Sequence, residues 1–217
     1  MERLLLGLDA LNLLEQEGFS VLKSLLAKDE NEATTIASEI GFPVALKVSS
    51  PDVIHKTEIG GVKAPVNDED EVRKAFRELV QNFASHNPGK RLDGIIVQCI
   101  GRGLELIAGV LKDHQFGPVL MFGLGGIFVE AIKDVSFRLL PIEAKDARGM
   151  IEELNAYRIL TSPRWKGIDL GIVEDFLLRV SKLVEKHRGI QEMDLNPVFI
   201  SQSGIEICDA RIKIDFS

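Results

Sequence analysis

A mixed α+β (α/β) fold in two lobes is what this sequence predicts, and three observations predict it. Through residue 91, amphipathic helical patterns alternate with short apolar strand patterns. From Leu92 onward, strand-like runs follow one another across short glycine-containing links. Two further helical patterns and a charged hairpin then close the chain. The change near residue 92 sets the expected division: residues 20–91 form an N-terminal lobe, and residues 1–19 with 92–217 form a C-terminal lobe. The chain has 217 residues, 45% of them hydrophobic, enough to bury a full core in one large domain or two small lobes.

The elements are justified in chain order. Asp9 to Gly18 reads as a helix ended by glycine, and Phe19–Leu22 as a short strand. In Asp29 to Gly41 the apolar residues Ala33, Ile36, Ala37 and Ile40 recur at helical spacing, with Gly41 as the cap. Pro43 opens the strand PVALKVS, in which Lys47 is the one charge. Residues 50–61, SPDVIHKTEIGG, are dense in loop formers. Val62–Val66 suits a strand. Asp68 then caps a long helix with Val72, Ala75, Phe76, Leu79, Val80 and Phe83 on one face. LDGIIVQCI, LELIAGVLKD, GPVLMFGL, IFVEAIKDV and FRLLP read as an antiparallel meander. Helices are expected over Glu143–Leu154 and Asp169–His187.

The closing hairpin spans Gly189 to Asp215. Alternation puts Glu192, Asp194 and Asn196 on one strand face, and Ser201-Gln202-Ser203-Gly204 is turn chemistry. A symmetric turn then sets Glu192 opposite Lys213, Asp194 opposite Arg211 and Asn196 opposite Asp209. Opposite charges in two of those pairs support the register at roughly 0.2–1 kcal/mol each. The third pair has no cation. It is either half of a site for a hard, oxygen-preferring cation such as Mg²⁺ or a charged, solvated strand end.

Composition narrows the function classes. The net charge of −7 argues against a broad nucleic-acid or anionic-membrane surface. Cys99 and Cys208 lie in apolar runs without a CxxC pair, as expected of buried thiols in a reducing compartment. No 18-residue apolar span and no signal-peptide plan are present, so a cytoplasmic protein is expected.

Several other residues carry candidate chemistry. Lys47, inside an apolar strand, is suited either to a ligand phosphate or to snorkelling at a strand edge. The loop with His55, Lys56, Thr57, Glu58, Gly60 and Gly61 suits closure over phosphates, and His55 can act as a phosphoryl-accepting nucleophile; an ordinary surface loop has the same composition. Glu105 alternates with Leu104 and Leu106 and can face either a cleft or open solvent on an exposed strand face. GLGGI at 123–127 lies between strand patterns and therefore fails the dinucleotide-binding context; a tight turn or a close backbone approach is expected there. There is no GxxxxGK[ST], GxSxG, HExxH or kinase motif set, and the four histidines have no zinc spacing.

The stretches LKVSSPDVIHKTEIGGV, VQCIGRGLELIAGVLKDHQFGPVLMFGLGGIFVEAIKDVSFRLLP and EMDLNPV with ICDARI together resemble the β subunit of archaeal ADP-forming acetyl-CoA synthetases. The resemblance covers nearly the whole chain. It implies a two-lobed ATP-grasp fold related to succinyl-CoA synthetase. The implied reaction is acyl-CoA + ADP + phosphate to acid + ATP + CoA, with phosphate passing through phosphohistidine. Carried over by position, Lys47 resembles the nucleotide-phosphate lysine and His55 the β-chain phosphoryl acceptor. Gln98, Cys99 and Ile100 resemble the adenine and ribose hinge, Cys99 and Ile100 through backbone groups. Glu105 resembles a nucleotide-side acid, and Asn196 and Asp209 resemble Mg²⁺ ligands, in agreement with the hairpin register. Gln98 stands where many such chains have Glu, and LTSPRWKGIDL departs from the expected loop, which leaves Arg164 without an assigned role. The implied cofactors are Mg²⁺ and ADP/ATP. The implied partner is a separate α subunit with CoA-binding and phosphohistidine domains, in an α₂β₂ heterotetramer, with GLGGIFVE a candidate for the interface. The rival expectations are a non-catalytic nucleotide-sensing module and a ligase that activates a carboxylate directly.

Overall fold

The structure is a computed structural model and describes residues 2–53, 56–126, 133–155, 157–161 and 168–215. The chain divides into two compact units, Leu22–Gly101 and Met1–Val21 with Arg102–Ser217.

In chain order the larger unit begins with β1 (Glu2–Leu6) and α1 (Leu8–Gln16). The smaller unit follows with β2 (Ser24–Ala27), α2 (Glu30–Ile40), β3 (Val44–Ser49), β4 (Val62–Val66), α3 (Glu69–His86) and β5 (Gly94–Cys99), and a 3₁₀ turn at Lys56–Ile59. Its strands form one antiparallel sheet in the order β2-β5-β3-β4. Helix starts obey the sequence. Asp29 accepts from the Asn31 and Glu32 N–H groups at the head of α2, and Asp68 accepts from Glu71 N–H at the head of α3. Val44, Leu46 and Val48 of β3, with Ile95 and Val97 of β5, pack against Ala33 and Ala37 of α2 and Val72, Leu79 and Phe83 of α3. Alternation therefore sends Ala45 and Lys47 of β3, and Ile96 and Gln98 of β5, to the opposite face.

One expected boundary is corrected here. The sequence places residues 94–99 in the C-terminal lobe, because they open the run of strands. They instead form an interior strand of the smaller sheet, held on one side by Ser24–Ala27 and on the other by Val44–Ser49. The short Ser24–Ala27 strand, not expected from the sequence, is what gives β5 its second neighbour. The strand expected at Phe19–Leu22 reduces to a single bridge, Val21 to Ile207.

The larger unit resumes with β6 (Leu104–Asp113), β7 (Gly117–Leu124), β8 (Val135–Leu139), α4 (Ala144–Glu152), a short α5 (Tyr157–Leu160) and α6 (Leu170–Lys186). It ends with β9 (Ile190–Ser201), β10 (Gly204–Ile207) and β11 (Ala210–Asp215). The sheet order is β1-β11-β9-β6-β7-β8, with β10 beside β9. Most of the expected strand 127–135 lies outside the described residues. Leu104, Leu106, Ala108 and Val110 of β6, with Leu120, Phe122 and Leu124 of β7, form the core with Leu11 and Leu14 of α1, Met150 and Ile151 of α4, and Phe176 and Val180 of α6. Phe19 meets Phe176 edge to face at 6.0 Å, and the Arg179 guanidinium lies 4.6 Å from the Phe19 ring centre. Among the described residues no helix is long and apolar enough to cross a membrane.

Gly103 sets the start of β6. Its φ is +115°, and a Cβ built there would lie 2.0 Å from the Ile200 carbonyl oxygen, a backbone atom that cannot step aside. Gly103→Ala is expected to destabilise the protein by about 3 kcal/mol, read as a lowered midpoint in denaturant unfolding.

Candidate nucleotide and metal sites

The hairpin register holds residue by residue. Glu192 faces Lys213, Asp194 faces Arg211, and Leu195 faces Ala210. The expected single returning strand breaks at Cys208–Asp209 into β10 and β11, yet the register runs through the break: Asn196 N–H donates to the Asp209 carbonyl at 3.1 Å, and Cys208 N–H to the Pro197 carbonyl at 3.0 Å. Asn196 and Asp209 therefore sit side by side, Asn196 exposed and Asp209 half-buried. The Asp209 Oδ1 accepts from Ala210 N–H at 3.0 Å, which fixes the carboxylate.

The charge pairs differ from expectation in their partners. Arg211 bonds diagonally to Glu192 at 3.1 Å, and Lys213 reaches Glu2 at 3.2 Å on β1. Burial raises the Asp194 carboxyl above its ordinary value; Arg211 opposes the rise, while Asp209 and Glu192 add to it. The Arg211 Nε is buried and has no hydrogen-bond partner. Asp194, Glu192 and Asp209 thus gather three carboxylates about the Arg211 guanidinium. That excess of negative charge, with the hard oxygens of Asn196 and Asp209 beside it, fits a divalent cation of the Mg²⁺ type. Among the described residues no group of three His, Cys, Asp or Glu side chains is placed to hold a metal ion alone.

Glu105 lies on β6 opposite Phe199 of β9, on the sheet face turned away from the helices. Gly125 and Gly126 fold over it. Gly125 N–H donates to the Glu105 carbonyl at 2.8 Å, and a Cβ on Gly126 would lie 3.1 Å from Glu105 Oε2. The glycines of the expected tight turn are thus needed for close approach to this acid, and the rest of GLGGIFVE lies outside the described residues. Glu105 shares its sheet face with Asn196 and Asp209.

In the smaller unit Lys47 occupies an interior strand, paired with Val62 on one side and Ile96 on the other. A snorkelling strand-edge lysine is excluded by that position. Gln98 is on the same sheet face, opposite Ala45. It is 2% exposed and its Nε2 donates to Ser24 Oγ at 2.7 Å, while Ser24 Oγ donates to the Leu22 carbonyl. Its side chain is therefore engaged within the sheet. Cys99 is half-buried, less enclosed than expected, and its N–H donates to the Lys23 carbonyl at 3.0 Å. Ile100 is the first residue past the ladder. Cys208 is buried as expected. His55 and Arg164 lie outside the described residues. Asp194, which the sequence reading set opposite Arg211 and on the same face as Asn196, joins this set.

Residues 1–214 match the model of the ATP-grasp domain family. The acetate–CoA ligase (ADP-forming) I β subunit of Pyrococcus furiosus is 41% identical over 206 residues, covering 94% of this chain and 89% of that subunit. The chain belongs to the ATP-grasp family of ADP-forming acetate–CoA ligase β subunits. Acetate–CoA ligase (ADP-forming) I of Archaeoglobus fulgidus is 46% identical over 210 residues, 96% of this chain but 30% of its own length. This β-type chain thus spans under a third of that relative. The structure of Ca. Korarchaeum cryptofilum acetyl-coenzyme A synthetase 1 in complex with coenzyme A, Ca-AMPCP and HgCl⁺ matches with a TM-score of 0.91 and 44% identity over 98% of this chain and 94% of that chain. Another complex of that synthetase holds coenzyme A and Mg-AMPPCP with its phosphohistidine segment pointing towards the nucleotide-binding site; the TM-score is 0.82, at 41% identity over 98% of this chain and 93% of that chain. The ATP-grasp fold expected from the resemblance is the fold found.

Proposed function

We propose that this β-type chain is the nucleotide-handling subunit of an ADP-forming acyl-CoA synthetase, converting acyl-CoA, ADP and phosphate into acid, ATP and CoA with a separate α subunit. The observation that carries the reading is the Asn196–Asp209 pair, set side by side on an acid-rich sheet face in a chain of this family.

Each unit has its own share. In the smaller unit Lys47 places an ammonium on the nucleotide phosphates, and the main chain at Cys99 and Ile100 receives the base, beside Gln98. In the larger unit Asn196 and Asp209 hold Mg²⁺, and Glu105 orders the nucleotide side of the same sheet face. When bound, Mg²⁺ offsets phosphate charge. His55 accepts the phosphoryl group on a ring nitrogen from the partner's side, a P–N bond forming there as the donor's bond to phosphorus breaks, and passes it to the terminal oxygen of ADP, the P–N bond breaking as a P–O bond forms; the reverse direction breaks that P–O bond and re-forms the P–N bond. Phosphoryl transfer asks mainly for positioning and charge stabilisation, which these groups supply. The CoA site and the first phosphohistidine belong to the α subunit, in an α₂β₂ assembly in the cytoplasm.

The test is calorimetric titration of the chain with Mg·ADP. Lys47→Ala is expected to weaken binding about 10- to 100-fold, the loss of one charge-assisted hydrogen bond, with the unfolding midpoint unchanged. Undiminished affinity would remove Lys47 from the site.

A further inference from the structure

Most large apolar side chains of the larger unit are buried against its helices, but one part of its sheet is apolar on the face turned away from them. The strand registers assemble it. Leu111 of β6 lies beside Val119 of β7, which lies beside Leu139 of the outermost strand β8. In the next row Met121 lies beside Phe137. Leu111 is 60% exposed, Phe137 55%, Leu139 54%, and Phe116 at the β6–β7 turn 68%. Core-facing neighbours show the contrast: Leu120 and Phe122 are fully buried, and Arg138 turns inward to pair with Glu153, just past the end of α4. A contiguous apolar patch bordered by charged residues marks a place where another surface docks. The acidic groups Glu192 and Asp194 border it, opposite Leu111 and Gly109.

We propose that the Leu111–Phe137–Leu139 face docks the CoA-binding α chain. Two facts choose this occupant. The Archaeoglobus relative carries the other 70% or so of its length on the same polypeptide as the matched region, whereas the Pyrococcus relative is a separate subunit of nearly this length. A domain of this kind therefore needs a seat for the remainder of the enzyme, and among the described residues this sheet face is an apolar one it has to offer. A second copy of this chain would set one net charge of −7 against another across the Glu192 and Asp194 border. The patch shares its sheet face with Glu105, Asn196 and Asp209, so a chain seated on it ends beside the residues assigned to the nucleotide. The inference rests on the functional reading above.

The holoenzyme, purified from its own cells through a tag on this chain, provides the test. The preparation is compared with the Phe137→Ser/Leu139→Ser variant and, separately, with Phe116→Ser, which lies on a turn and leaves the sheet untouched. The readout is the amount of co-eluting polypeptide labelled by a photoreactive CoA analogue. The expected result is a tenfold or greater loss of that polypeptide in the double variant and a partial loss in Phe116→Ser, with Mg·ADP affinity of each variant chain within twofold of the parent. Undiminished co-elution overturns the proposal and leaves the functional reading standing. Loss of self-association of this chain, with the CoA-labelled polypeptide retained, overturns it in favour of a second copy. A parent preparation with no CoA-labelled polypeptide overturns both.

Discussion

Replacing His55 by alanine is expected to lower ATP formation from acyl-CoA, ADP and phosphate by a factor on the order of 10⁴ or more, the scale seen when a covalent nucleophile is removed. Binding of Mg·ADP to the same variant should stay within about twofold. The separation follows from the division of labour. The phosphates are assigned to Lys47 and, through the metal, to Asn196 and Asp209, none of which touches position 55 in sequence. The glycines that follow, Gly60 and Gly61, are packed against Asn82 and Lys56: Asn82 donates to the Gly60 carbonyl at 3.1 Å, and Gly61 N–H donates to the Lys56 carbonyl at 2.7 Å. Turnover assays in parallel with calorimetry check the prediction, and loss of ADP binding together with turnover would count against the relay.

The second large effect is expected at Asp209. Asp209→Asn should weaken Mg·ADP about 100-fold, the upper end of what disrupting a metal's immediate surroundings costs. The substitution keeps an oxygen able to accept from Ala210 N–H, now at 3.0 Å from Oδ1, so the turn into β11 is retained. It also removes one of the two carboxylates that raise Asp194, so burial of Asp194 becomes less unfavourable. The unfolding midpoint should therefore hold or rise slightly while nucleotide affinity falls. Titration with ADP in EDTA supplies the control: the parent and the variant should bind metal-free ADP alike. A lowered unfolding midpoint matching the lost affinity would instead mean that Asp209 is structural.

What the sequence disclosed, it disclosed where the signal was local. The closing hairpin has a turn of Ser, Gln, Ser and Gly and alternating charges on both strands, so its register followed from counting, and Asn196 meets Asp209 as expected. The helix starts at Asp29, Asp68 and Asp169 were likewise legible, each an Asp ahead of an apolar helical period, and all three prove to be caps. The misplacement of residues 94–99 came from a non-local choice. GIIVQC is equally apolar in either sheet, and what recruits it is Ser24–Ala27, four residues too short to show a period. The Arg211–Glu192 diagonal was hidden for a related reason. Facing pairs can be counted, but a long guanidinium reaches past its neighbour, and the buried position of Asp194 disfavours its charged form. Gln98 illustrates the limit at a single side chain: its position on the hinge strand was readable, its hydrogen bond to Ser24 was not, because Ser24 lies 74 residues away.

The most direct test of the central claim is phosphoryl transfer to this chain. It is incubated with γ-labelled ATP and Mg²⁺, with and without its α partner, alongside His55→Ala. The expected result is an acid-labile, base-stable label on the parent that is absent from the variant. No label under either condition, with Mg·ATP still bound, would contradict the relay and favour a nucleotide-sensing module or a ligase that activates its carboxylate directly.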